Sequence, residues 1–290
     1  MASDNSDSAS TNPAVVAAQN NDSDDEYEYK PLDLKPAIDA LGCKYTMPVE
    51  NKDVYIVHGF AERFGIDARE AQKRLQDEYP HRREGDKIAW AEPQWIHGDH
   101  RSLRYRGNVL TRDKMWFQNG EPSEHGFRKY LYTGWQWRVL PATSAVERVP
   151  WLAKFVGDVN DWLWKHCFVT TNHYIVTAYD KEDCGIGMHS DKAKSISELA
   201  PIVVVKTGEC GRPFRITDSV TGEELFNKVV EPGDAVIMTM QANLATKHGV
   251  PILNEPTDTS GSIVMRKIIE EVPWGKLEAM LRKRDREEEE

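Results

Sequence analysis

The stretch HYIVTAYDKEDCGIGMHSD (173–191) decides the fold, because it joins a β-strand pattern to two residues of metal-ligating type. Its first part, HYIVTAY, is rich in β-branched and aromatic residues, which are typical of a strand. His189 and Asp191 follow two residues apart, and residues i and i+2 of an extended chain point to the same side. The imidazole and the carboxylate can therefore reach one ion.

Further β-rich runs follow, separated by Gly, Pro and Asp. They are PIVVVKTG (201–208), PFRITD (213–218), AVIMTM (235–240) and GSIVMRKI (261–268). Closely spaced strands with turns between them, such as EPGD (231–234), predict a jelly roll or a barrel. Upstream, the composition of 67–80 and the helical spacing of apolar residues in 149–166 predict two helices. The predicted fold class is therefore α+β, mainly β, with a β-sandwich core.

Charge and composition bound the function classes. Residues 1–30 carry seven acidic residues and one lysine, and residues 285–290 carry five acidic residues and one arginine, which accounts for the whole net charge of -10. The neutral remainder does not exclude a nucleic-acid partner. Four scattered cysteines without a C-x-x-C pair argue against a cysteine-based zinc module.

The two ends of the chain differ from its middle. Residues 1–30 lack bulky apolar residues and are expected to be a disordered acidic tail. Residues 271–290 are expected to form a helix that runs into an acidic tail. Because the chain shows neither an apolar run of membrane-spanning length nor a secretory leader, we expect a soluble intracellular protein, of the cytoplasm or nucleus, with no membrane partner. Nothing in the sequence defines an oligomeric state.

A third metal ligand is offered by His248 in ATKHGVP, which lies 57 residues after Asp191. Two histidines and one carboxylate leave three open positions on an octahedral iron(II), which suit a bidentate 2-oxo acid and O₂. A lone H-x-D occurs by chance in many proteins, so the alternative is an exposed histidine followed by a turn aspartate. The order of H-x-D, β-rich runs, an EPGD turn, a histidine and a strand bearing Arg266 favours the metal site.

With these parts in order, the chain resembles the AlkB-type branch of the 2-oxoglutarate and iron(II)-dependent dioxygenases, which remove alkyl groups from nucleic-acid bases and some proteins. The resemblance runs from about Leu110 to Ile268. It is carried by MWFQNG (115–120), YLYTG (130–134), the helix at 151–166, TAYDKEDCGIGMHSD (177–191), APIVVVKTG (200–208) and SGSIVMRKI (260–268). It implies a double-stranded β-helix (jelly-roll) core at 110–270 with preceding helices and pre-barrel strands, and an N-terminal extension at 31–109.

The resemblance also implies residue roles. His189, Asp191 and His248 match the catalytic iron(II) ligands. Tyr179 matches the residue that hydrogen-bonds 2-oxoglutarate, and Arg266 matches an arginine that pairs with one of its carboxylates, as a guanidinium fork is suited to do. Three cosubstrate positions depart from the family, with Thr177 and Ser262 in place of asparagines and Ser260 in place of an arginine.

Lys206 is the predicted replacement for the missing arginine. Loss of one charge-assisted bond costs roughly 1.5–3 kcal/mol, so another cation is needed if 2-oxoglutarate is to be held. A lysine in the apolar run PIVVVKTG is unfavourable without an anionic partner. We therefore expect Lys206 and Arg266 to anchor 2-oxoglutarate together. The alternative is that Lys206 extends outward from an edge strand into solvent.

The substrate side is read from HGDHRSLRYRGNVLTRDK (97–114), in which basic residues alternate with an aromatic one. This pattern fits phosphate neutralisation and base stacking. It makes Arg101, Arg104, Tyr105 and Arg106 the candidate substrate-binding residues. The alternative is a solvated loop with ordinary ion pairs. Lys192 and Ala193 stand where the family often places an acid that contacts the base, which counts against a faithful copy of the base-repair site.

The predicted function is oxidative demethylation or hydroxylation, with iron(II) as cofactor and 2-oxoglutarate and O₂ as cosubstrates. An alkylated nucleic-acid base is the favoured substrate. Two alternatives remain open at this point. One is the same chemistry on a protein side chain or a small molecule, and the other is a catalytically silent binding module with the same fold.

Overall fold

The computed structural model shows β-strands as the main elements. It describes residues 32–87, 89, 91–98, 104–105, 108–122, 127–131, 139–142, 144–181, 183–191, 194–253 and 258–272. The strands are β1 (Tyr45–Thr46), β2 (Val54–Val57), β3 (His81–Arg82), β4 (Trp95–Ile96), β5 (Arg104–Tyr105), β6 (Asn108–Val109), β7 (Asp113–Gln118), β8 (Phe127–Leu131), β9 (Val139–Pro141), β10 (Ser144–Ala145), β11 (His173–Ala178), β12 (Ile186–His189), β13 (Ile202–Gly208), β14 (Arg212–Asp218), β15 (Glu224–Val230), β16 (Ala235–Met238), β17 (Thr246–Val250), β18 (Ser260–Arg266) and β19 (Glu271–Val272). The helices are α1 (Lys35–Leu41), α2 (Phe60–Arg63), α3 (Ala68–Glu78), α4 (Pro150–Cys167) and α5 (Met240–Ala245), with a 3-10 turn at Val146–Arg148.

Two sheets form the core. The major sheet has the order β1-β2-β16-β13-β18-β11-β7-β4-β3, with β10 beside β7, and the minor sheet has the order β12-β17-β14-β15. From β11 to β18 the chain passes back and forth between the two sheets, which is the winding of a double-stranded β-helix. The predicted jelly roll is confirmed, and a closed barrel, the other option, is not formed by the described strands.

Strand β13 shows how the layers are built, because it is buried on both faces. Val203 and Val205 pack in the cluster that includes Leu75 of α3 and Phe155 of α4. Val204 points the other way, into the cluster between the sheets. Burial of each such side chain contributes about 1.5–3 kcal/mol, so both faces of the strand stabilise the core.

Helix α4 covers the major sheet with one face. Leu152, Phe155 and Val159 are fully or almost fully buried at helical spacing. Trp162 is 8% exposed and donates its Nε1–H to the Ala37 carbonyl oxygen at 3.0 Å, whereas Trp164, two residues on, is 59% exposed. The two tryptophans thus lie on different faces, as helical geometry requires. Among the described helices, none combines the length and the apolar character that a membrane crossing needs.

Several elements lie outside the sequence prediction. Strand β2, from the region predicted as an extension, pairs with β16 in the major sheet. Strand β15 forms the outer edge of the minor sheet, where most of its side chains are at least partly exposed. The predicted acidic tail at 1–30 and the predicted helix and tail beyond residue 272 lie outside the described residues.

Candidate active site

The three predicted metal ligands come together at one end of the minor sheet. His189 ends β12, Asp191 follows it by two residues, and His248 lies on β17 directly opposite His189 in the strand register. One ligand atom from each residue lies within 4.8 Å of the other two. The Nε2 atom of His189 is 3.7 Å from Oδ1 of Asp191. The sheet pairing therefore assembles the predicted triad from two segments that are far apart in sequence.

The protonation states of the histidines suit a metal. The Nδ1 atom of His189 lies 2.9 Å from the Gly187 carbonyl oxygen, so Nδ1–H donates there and the Nε2 lone pair is left for a ligand bond. Burial lowers the pKa of both imidazoles, and for His248 the pKa falls to about 3, helped by the neighbouring His189. Neutral imidazoles are what a metal requires. Two nitrogens and one carboxylate oxygen form a donor set that fits iron(II).

Asp191 is held by two residues. The Asn243 side chain accepts a hydrogen bond from the Asp191 backbone N–H at 2.8 Å and donates one to the Asp191 carbonyl oxygen at 2.9 Å. The Arg266 guanidinium lies 3.1 Å from Oδ1 and 2.9 Å from Oδ2 of the carboxylate. Arg266, which the resemblance assigns to 2-oxoglutarate, thus contacts a predicted metal ligand. Asn243 was missed, because a helical asparagine carries no sequence signal for this contact.

A small cavity of about 40 Å³ adjoins the triad. Tyr179, Lys206, Ser262 and Arg266 line it together with the three predicted ligands. Burial raises the pKa of the Tyr179 phenol, and a hydrogen bond with Ser262 acts in the opposite direction. Thr177 pairs with Ser262 in the sheet and is buried beside it. Four of the five predicted cosubstrate residues therefore lie beside the metal triad, and the fifth, Thr177, is the strand partner of Ser262.

Lys206 lies inside the protein. Strand β13 is flanked by β16 and β18, and Lys206 is 1% exposed. The alternative of a solvent-facing lysine on an edge strand is therefore wrong. Burial lowers the pKa of Lys206 to about 8, and the positive charge of Arg212 adds to the effect. The Nζ atom is 5.3 Å from the centroid of the Tyr179 ring.

Arg212, which the sequence analysis missed, lies against the ring of the cavity residue Tyr179. It is fully buried, and its guanidinium carbon is 5.4 Å from the Tyr179 ring centroid. Its Nη2 donates to the carbonyl oxygens of Cys184 and Pro251 at 2.8 and 3.2 Å. Among the described residues, its Nε and Nη1 atoms have no hydrogen-bond partner. The sequence pattern did indicate this position, because Arg212 and the buried Phe214 are two residues apart on β14. Their side chains therefore point to the same, inward face.

Positive charge is concentrated around this cavity. The buried cationic residues among those described are Arg112, Lys114, Lys206, Arg212 and Arg266. The buried acidic residues are Asp191 and Asp234, and Asp234 contacts His58 and the Gly59 N–H instead. Charges buried in excess of their counter-charges are unfavourable without an anion. The interior is thus suited to an anionic ligand.

The predicted substrate-binding residues are described only in part. Arg101 and Arg106 lie outside the described residues. Arg104 and Tyr105 form β5, which pairs with β6 as a short hairpin, and nothing is described of their side chains. Arg112 and Lys114, which close the same basic stretch, are buried against the sheet. The solvated-loop alternative is therefore wrong for these last two residues.

Comparison with known proteins places the chain in a family. A family model described as the 2OG-Fe(II) oxygenase superfamily matches residues 53–278. The chain belongs to this superfamily, so it is an iron(II)- and 2-oxoglutarate-dependent dioxygenase that uses O₂, and the prediction is confirmed at this level. No curated protein matches the sequence.

Solved structures with a similar fold were also found. The structure of OsALKBH1 is 16% identical with a TM-score of 0.45, and the match covers 75% of this chain and 99% of that one. A 2OG-Fe(II) oxygenase family oxidoreductase from Burkholderia pseudomallei is 13% identical with a TM-score of 0.38, and the match covers 64% of this chain and 77% of that one.

Proposed function

We propose that this dioxygenase oxidises an alkylated nucleic-acid base, with iron(II) held by His189, Asp191 and His248. The observation that carries the cosubstrate assignment is the pair of buried cations that lie over the ring of the cavity residue Tyr179, Lys206 and Arg212. 2-Oxoglutarate is a dianion, and it neutralises charge that the fold otherwise buries at a cost. Bound iron(II) with 2-oxoglutarate and O₂ supplies the oxidant for a substrate C–H bond, and an N-methyl group so hydroxylated is lost as formaldehyde.

Each side chain has a defined task in this proposal. Lys206 keeps its proton on Nζ and, with Arg212, binds one carboxylate of 2-oxoglutarate through charge-assisted bonds. Tyr179 donates its hydroxyl hydrogen to the cosubstrate, and Thr177 and Ser262 offer hydroxyls from the same sheet face. Arg266 lines the same cavity and would pair with the second carboxylate while it holds Asp191. The surrounding apolar side chains exclude water, which strengthens these contacts.

A first experiment tests catalysis. Succinate release from 2-oxoglutarate is measured with iron(II) in the wild-type protein and in His189→Ala. We expect release by the wild type alone. Absence of succinate from both proteins would favour the catalytically silent binding module.

A second experiment tests the substrate. Methylated DNA and RNA oligonucleotides and a methylated peptide are compared for formaldehyde release, and we expect release from an oligonucleotide. Release from the peptide alone would favour the protein-modifying alternative. The nucleic-acid assignment is supported by the basic and aromatic composition of 97–114.

A third experiment tests the basic segment itself. Replacing Arg101, Arg104 and Arg106 with glutamine removes up to three phosphate contacts. Because each contact contributes about 0.7–0.9 to the slope of log affinity against log salt, the slope should fall by about 2–3. The matched control is the triple glutamine variant of Arg69, Lys73 and Lys228, which carries the same charge change on exposed positions. An equal effect in both variants would contradict a specific role for the segment.

A further inference from the structure

A second group of metal-ligand types lies away from the iron triad. His81 begins β3, His97 directly follows β4, and Asp113 begins β7, at neighbouring ends of strands in the major sheet. One ligand atom from each lies within 4.8 Å of the others. The two imidazole rings are stacked with centroids 5.0 Å apart, and Nδ1 of His97 is 2.6 Å from Oδ2 of Asp113.

Neighbouring groups orient these ligands. The Nε2 atom of His81 lies 3.1 Å from the Gln76 carbonyl oxygen, so Nε2–H donates there and Nδ1 is left as a lone-pair donor. The Gly98 N–H donates to Oδ1 of Asp113 at 2.8 Å, which leaves Oδ2 for a further contact. Outer hydrogen bonds of this kind fix the tautomer and direction of metal ligands.

Beside the His97–Asp113 pair lies a second imidazole, that of His81, which also stacks on Trp95. Asp113 and His97 suffice for an ion pair, whereas two imidazoles and one carboxylate form a common donor set for zinc. Tetrahedral ligands at about 2.0–2.1 Å from zinc are roughly 3.3 Å apart, so the 2.6 Å contact needs to open by less than about 1 Å.

The proposed ligands lie at both ends of the basic segment. His97 and Asp113 bracket residues 98–112, and the two ends of this segment touch. A Cβ atom on Gly98 would lie 2.4 Å from the Leu110 carbonyl oxygen. An ion bound by residues on both sides would hold the ends of the segment together and tie them to β3.

We propose that His81, His97 and Asp113 form a second, structural site for a divalent transition metal, of which zinc is the best match. The bound ion links the two ends of the 98–112 segment to β3, and water completes the coordination. That the segment meets substrate rests on the function proposed above, whereas the metal site itself does not.

The test removes the iron site first. The full-length protein with His189→Ala and Asp191→Ala is saturated with zinc or cobalt(II), passed through a desalting column and assayed for bound metal. We expect one equivalent of metal, and with cobalt(II) the visible absorption of a tetrahedral ion. Adding His81→Asn, at an exposed position, should abolish both.

A matched control variant distinguishes loss of the metal site from a general effect of removing a histidine. His58 makes a similar contact with Asp234 at 2.8 Å, and no second histidine accompanies that pair among the described residues. His58→Asn should therefore leave the bound equivalent unchanged. Zinc should also slow proteolysis within 98–112 in the background variant and not in its His81→Asn derivative. No bound metal in the background variant, or full retention after His81→Asn, would overturn the proposal.

Discussion

Replacing Lys206 with methionine should raise stability and lower cosubstrate affinity at the same time. Burial lowers the pKa of this lysine from 10.5 to about 8. Since one pKa unit corresponds to about 1.4 kcal/mol, the charged ammonium costs the ligand-free fold about 3 kcal/mol. Methionine has a similar length and no charge, so the free energy of unfolding should increase by up to that amount at pH 7.

The pH dependence of this gain follows from linkage. Below pH 8 the lysine is charged in both the folded and the unfolded state, and the full cost is present. Between pH 8 and 10.5 the folded state loses its proton first, so the cost declines and then disappears. The stability difference between Lys206→Met and the wild type should therefore be largest below pH 8 and shrink above it.

The effect on 2-oxoglutarate has the opposite sign. Loss of a charge-assisted bond of roughly 1.5–3 kcal/mol weakens binding roughly 10- to 150-fold. Urea denaturation measures the stability, and calorimetric titration of the manganese(II) form, which serves as an unreactive substitute, measures the affinity. The control Lys228→Met, at an exposed position on β15, should change neither. Unchanged affinity in Lys206→Met, or a loss of stability without ligand, would refute the reasoning.

Three further outcomes are expected. Arg266→Met leaves the Asp191 carboxylate buried without its cation and should cost the metal-free protein about 3–5 kcal/mol in urea denaturation; a loss that manganese(II) does not reduce would contradict this. Gly249→Ala places a Cβ atom 2.6 Å from a backbone oxygen of β12, which pushes β12 away from β17 and should weaken manganese(II) binding about tenfold or more in a titration, since such overpacking costs about 1–3 kcal/mol. The control Gly187→Ala, whose Cβ meets nothing within 4 Å, should bind normally, and equal losses would exclude the steric explanation. Finally, 2-oxoglutarate affinity of the wild type should be constant below pH 8 and fall about tenfold per pH unit above it, because binding needs the charged form of Lys206; calorimetry that finds a flat profile would contradict this.

The core strands were predictable because a strand that is buried on one or both faces has a recognisable pattern of apolar residues. Strand β13 is a run of apolar residues, and in helix α4 the apolar residues recur at the spacing of helical turns. Strand β15 is largely exposed, so its sequence lacks the apolar pattern that predicts a strand. Its extended conformation is stabilised by pairing with β14. Strand β2 is apolar but short, and its place beside β16 depends on contacts that local sequence does not encode.

The candidate site likewise contains residues that the sequence predicted and residues that it did not. The triad was predictable from ligand chemistry and order along the chain, and the strand register of His189 and His248 brings it together. Asn243 was not predicted, since its role depends on where α5 lies in the fold, whereas Arg212 was missed although its spacing from Phe214 indicated an inward side chain. The partner of Arg266 in the structure is Asp191, and that pairing spans the two sheets. A local sequence motif does not predict a contact between residues of two different sheets.

The pairing of β12 with β17 also bears on how the protein folds. The chain between His189 and His248 forms strands β13 to β16 and contributes to both sheets. Topologies dominated by such distant pairings fold slowly, because loop closure precedes the stabilising contacts. Because the register of β12 and β17 brings the ligands together, iron(II) binds the folded chain and stabilises it by mass action. The free energy of unfolding should therefore rise with the concentration of free iron(II).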